Sequence, residues 1–86
     1  MNKQELDALR KQARTTAAAH GCMADLQVIG FPVRGSSAVA LMIVVTRTLS
    51  ASRRLKREVK VRLGGVGAAA AVERIVRDTA EQLSKD

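Results

Sequence analysis

Arg53-Arg54-Leu55-Lys56-Arg57-Glu58-Val59-Lys60-Val61-Arg62-Leu63 alternates apolar and charged residues over most of its length. Leu55, Val59, Val61 and Leu63 share one parity, and Arg54, Lys56, Glu58, Lys60 and Arg62 take the other. Side chains of an extended chain point to opposite faces in turn, so the stretch predicts a half-buried strand with a basic outer row. Arg57 falls on the apolar parity. It predicts a bulge nearby, or a strand that begins only at about Glu58.

Upstream, residues 38–46 are uncharged on both parities and rich in β-branched side chains, the pattern of a central strand. Residues 48–52 then turn the chain into the basic strand. If Val39, Leu41, Ile43 and Val45 are to share a face with Leu55, Val59, Val61 and Leu63, paired residue numbers must sum to an even number. The hairpin loop must then hold an odd count of residues, for instance 49–51. Further upstream, residues 26–31 read as a first strand that Pro32 ends, with a polar connection over 34–37.

Helical patterns flank these strands. Asn2 with Glu5 resembles a capping box, which starts a helix near Lys3. Leu6, Leu9, Ala13 and Ala17 give that helix a narrow, Ala-rich stripe, Asp7 with Lys11 an ion pair, and Gly21 after His20 a left-handed stop. After Gly64-Gly65-Val66-Gly67, residues Ala69, Val72, Ile75, Val76, Thr79, Ala80 and Leu83 form a second stripe, supported by a Glu73–Arg77 pair. The expected architecture is one α+β domain over residues 1–86 in the order α-β-β-β-α. It is a three-stranded antiparallel meander with both helices packed on one face and the other face open.

Composition narrows the function classes. A chain of 86 residues buries about 60% of its unfolded surface. Phe31 is its only aromatic residue, so the core is small and aliphatic, and a homodimer is expected. Of 15 Lys and Arg against 8 Asp and Glu, residues 47–62 hold seven bases and one acid, whereas the chain from Gly64 onward is slightly acidic. Such a directed field suits a polyanion, although a basic row also protects an exposed sheet edge.

Cys22 is the lone cysteine, and the N-terminus is polar, which together predict a cytoplasmic protein without a disulfide or signal peptide. The uncharged run over 35–46 is too short to span a membrane, so no membrane association is expected.

Catalytic groups are sparse. His20 and Cys22 straddle Gly21 without an orienting acid or amide, and they are read as a capping His and a buried thiol. No metal cluster or carboxylate pair is recognisable, so no enzyme activity and no cofactor are expected. Gly65-x-Gly67-x-x-Ala70 spells the dinucleotide fingerprint, but no second parallel strand with its acidic end follows. The reading is a strand-to-helix connection, whose free amides have the means to hold a single anion. In element order, and in the Gly-x-Gly before the last helix, the chain is similar to the double-stranded-RNA-binding domain. The likeness is one of topology. That family opens its last helix with a Lys-Lys-x-x-Lys cluster, and residues 68–71 here are all Ala, so its phosphate contacts do not carry over.

The leading expectation is therefore a small non-enzymatic protein that binds DNA or RNA, double-stranded rather than single-stranded because stacking aromatics are lacking. Arg47, Arg53, Arg54, Lys56, Lys60 and Arg62 are the expected phosphate contacts. The alternative is a protein-interaction module, such as a phage- or plasmid-type inhibitor or adaptor, that docks its basic face on an acidic protein surface. A nucleotide-binding enzyme, the third class, would need a pocket around the 64–67 glycines.

Overall fold

Five elements follow one another in the computed structural model, which describes residues 3–30, 35 and 38–85: α1 (Lys3–Ala19), β1 (Met23–Gly30), β2 (Val39–Ser50), β3 (Arg53–Leu63) and α2 (Ala68–Lys85). The strands form one antiparallel sheet in the order β1-β2-β3, the expected meander. The cap at Asn2, the strand end at Phe31 and Pro32 and most of the 34–37 connection lie outside the described residues.

Register follows the hydrophobic pattern. Val39 pairs with Leu63, Leu41 with Val61, Ile43 with Val59 and Val45 with Arg57, so the pair numbers have the even sum that keeps the large β2 side chains on the helix side. The ladder runs unbroken through Arg57, which corrects the bulge expected there. Arg57 stays in register because its long side chain reaches out over α2, where Nη1 donates to Gln82 Oε1 at 2.6 Å. The irregularity sits instead between Thr48 and Ser50. It brings Ser50 opposite Arg53 and closes the hairpin over Ala51 and Ser52, which corrects the odd loop expected: the loop has two residues, and the bulge at Leu49 supplies the odd residue that keeps the even register.

Two strands are longer than their sequence patterns indicate. β1 starts at Met23, because Ala24 already faces the core opposite Val45 while Asp25 is exposed. β2 continues to Ser50, because β3 alone supplies partners for Arg47 and Thr48. β1 ends its pairing at Met23 with Thr46, so β2 and β3 project beyond it as a two-stranded ribbon. At about 3.4 Å per residue, twelve-residue β2 sets the long axis of a molecule measuring 45 × 20 × 19 Å.

The core lies between the sheet and the helices. Leu26, Leu41, Ile43, Val45, Val72 and Val76 are its largest fully buried side chains, each contributing about 1.5–3 kcal/mol of burial. Ala13 and Ala17 of α1 and Ala80 of α2 are also fully buried, and such short side chains let helices lie close to what they cover. On α2 the buried stripe begins at Ala68 rather than Ala69, with Ile75 at its margin.

The end of α1 explains how the chain enters the sheet. The Cys22 amide donates to the Ala17 carbonyl at 2.8 Å and the Gly21 amide to that of Ala18 at 3.1 Å, with Gly21 at φ +72°. These two bonds make a Schellman motif, which needs a residue free of the left-handed penalty at that position. The ion pairs also differ from expectation: Asp7 meets Arg10 at 3.6 Å, and Asp78 meets both Arg74 and Arg77 at 4.0 Å.

Candidate nucleic-acid interface

The β2–β3 ladder sorts the expected basic residues. Arg54, Lys56, Lys60 and Arg62 stand opposite Thr48, Thr46, Met42 and Ala40, on the side of the sheet away from the helices. Same-face neighbours on β3 follow at about 6.7 Å, twice the strand rise. Glu58 interrupts the row opposite Val44, and its Oε1 lies 3.2 Å from Lys56 Nζ. Asp78 of α2 does not neutralise the row, since it turns to arginines of its own helix.

Arg47 and Arg53 are not brought into this row. Arg47 pairs with Leu55 on the helix-side parity and acts electrostatically on Cys22. Arg53 closes the ribbon opposite Ser50 on that same parity. The six residues therefore divide into four on the open face and two at the ribbon, on the other side of its strands. Two-residue alternation fixes this division, and charge counting along the chain does not reveal it.

Residues outside the charge pattern complete the face. Thr46 and Thr48 set hydroxyls beside Lys56 and Arg54, and a shallow cavity of about 310 Å³ is lined by Met23, Asp25, Val44, Thr46, Thr48 and Arg54. A Thr hydroxyl donates or accepts, so a cation and a hydroxyl on directly opposed residues can share one anionic oxygen cluster. Asp25 tempers this field, although Arg14 at 3.8 Å and Arg10 at 4.0 Å offset its charge. Met42 and Val44 are only half-buried at the centre of the face.

The remaining candidates lack chemistry. The Cys22 thiol is buried and turns to the His20 carbonyl oxygen at 3.7 Å rather than to an imidazole nitrogen. Burial pushes this thiol up from its ordinary pKa, and Arg47 counters only part of that rise. Among the described residues no group of three His, Cys, Asp or Glu is placed to hold a metal ion, and no helix is long and apolar enough to cross a membrane. The glycines before α2 serve the turn: Gly65 has φ +74°, and the Gly67 carbonyl accepts the first helical bond from Ala71 at 3.0 Å. The strand before them is antiparallel to its neighbour, unlike the parallel pair of a dinucleotide fold.

Comparison with protein-family models, with curated proteins and with solved structures finds no match to this chain.

Proposed function

We propose that the protein binds duplex nucleic acid without catalysis, laying the open face of its sheet on the phosphate backbone. The alignment of Arg54, Lys56, Lys60 and Arg62 on one uncovered face carries this reading. Each contact releases condensed counterions, and that release drives association without regard to base sequence. Thr46 and Thr48 add neutral donors to the same phosphates, and Arg47 and Arg53 meet the polyanion where the ribbon tip projects past the face. Readout of sequence is weak, because these cations are taken up by phosphate oxygens, which position the protein and carry no base identity. A homodimer, expected from the thin aliphatic core, would present two such faces.

A gel shift with a short duplex, repeated across salt concentrations, tests the reading. The four contacts of the open face give a slope of log K against log salt of about −3.6, and Arg47 and Arg53 at the ribbon bring it to about −5.4. Changing Lys60 and Arg62 to Ala lowers its magnitude by about 2, while Arg74→Ala with Arg77→Ala on α2 leaves it unchanged. Absence of binding at low salt, or equal slopes for both double variants, rejects phosphate contact by this face.

A further inference from the structure

The two edges of the sheet are treated differently by the rest of the molecule. On β1, the Leu26 amide donates to Asp25 Oδ1 at 2.9 Å and the Leu26 carbonyl accepts from Arg10 Nε at 3.2 Å. Both backbone groups of Leu26 therefore point away from β2 and are already occupied. In an antiparallel ladder such orientation alternates from residue to residue and from strand to strand. Leu26 pairs with Ile43 and Ile43 with Val59, so Val59 faces β2 and the outward groups of β3 belong to Arg54, Lys56, Glu58, Lys60 and Arg62. The hairpin agrees, since Arg53 closes it opposite Ser50 on the inward parity. Among the described residues, no side chain or strand meets these five amides and carbonyls.

An open edge of this length is a template for a further strand. Its chemistry names the occupant. The residues with outward main-chain groups are those that form the basic row, so an added strand would set every second side chain beside Arg54, Lys56, Lys60 and Arg62. The intervening side chains would lie next to Leu55, Val59, Val61 and Leu63, which pack against the core while staying only half-buried. A second copy of β3 is a poor match, because every antiparallel register that keeps the faces together sets at least one basic residue directly against another.

We infer that the β3 edge is a docking site for an extended peptide segment that alternates acidic and apolar residues, with a neutral or basic residue opposite Glu58. The segment adds as a fourth strand, extends the core with its apolar side and neutralises the basic row with the other. This inference does not rest on nucleic-acid binding. It makes an acidic strand and a polyanion competitors for the same four cations.

A synthetic peptide of β3's length, alternating valine and glutamate but carrying glutamine at its centre, where it meets Glu58, provides the probe. It binds the intact protein, and amide exchange slows at Lys56, Glu58 and Lys60 in particular. The same peptide N-methylated on the alternate amides that face β3 keeps its charges and loses affinity by at least about tenfold, since several main-chain bonds are removed together. Lysine in place of glutamate abolishes binding. Equal affinity of the N-methylated peptide, unchanged exchange at those three amides, or no binding of the parent peptide overturns the inference.

Discussion

Arg10 and Leu26, sixteen residues apart, are joined by a bond from a guanidinium Nε to a main-chain oxygen at 3.2 Å. The bond ties α1 to the outer rim of β1, and Arg10 also stands within 4.0 Å of Asp25. Arg10→Ala is expected to cost about 1 kcal/mol, the net worth of one part-exposed hydrogen bond. Urea denaturation measures it. Because the Leu26 carbonyl is then free for another chain, the variant should also self-associate more readily on sedimentation.

Glu58 sits in the middle of the basic row and holds Lys56 at 3.2 Å. Replacing it with Gln removes an anion from the face and frees that ammonium, so duplex affinity is expected to rise a few-fold at low salt and by less at high salt, as screening shortens the reach of the charge. Titration at two ionic strengths decides the matter, and unchanged or weaker binding would place the polyanion elsewhere.

Cys22 makes stability depend on alkaline pH. Its thiol pKa is raised by burial, with Arg47 opposing in part. The unfolded chain therefore loses the proton first. Stability from this group is complete below the ordinary thiol pKa and declines as pH climbs from that value through the raised one. Denaturation at a series of pH values above neutrality should follow that sign. Alkylation of the native protein should be slow, and fast once denaturant is added.

Gly21 tests the helix stop. At φ +72° the position charges any residue with a Cβ about 1–2 kcal/mol, although the space around it is empty. Gly21→Ala should lower the midpoint of thermal unfolding by several degrees, given that 1 kcal/mol corresponds to about 4–8 °C in a domain of this size. A midpoint within one or two degrees of the parent would mean that the Schellman turn is dispensable.

Element order, both faces of the sheet and the even register were legible because each rests on the two-residue and 3.6-residue periods of the chain. Strand ends were less so. Residues 48–50 read as a turn, yet they extend β2 because β3 offers partners to Thr48 and Ser50 with Leu49 bulged between them, a tertiary effect that local composition does not carry. Arg57 departs from its pattern for a related reason: a charged residue on an apolar parity signals a bulge only when its side chain cannot escape, and here it reaches Gln82. Of the candidate site, the four cations of the open face followed from alternation. Arg47 and Arg53 have the opposite parity, which the same alternation carries and charge alone does not. The protection of Leu26 by Arg10 left no local sequence signal, since it joins a helix to a strand rim across sixteen residues.

The projecting end of the β2–β3 hairpin gives the molecule unequal stiffness. Beyond the pairing of Met23 with Thr46, two strands continue without a third, and past Leu55, which still packs against the core, the ladder alone holds them. Two strands alone are marginal in water, whereas the region behind them is clamped by the core. The protein is thus a firm palm with a two-stranded finger, and Arg53 and Arg54 ride on its tip. On the proposed reading, such a tip would bend to follow a curved duplex while the palm keeps its shape, so the same contacts would close on surfaces of different radius.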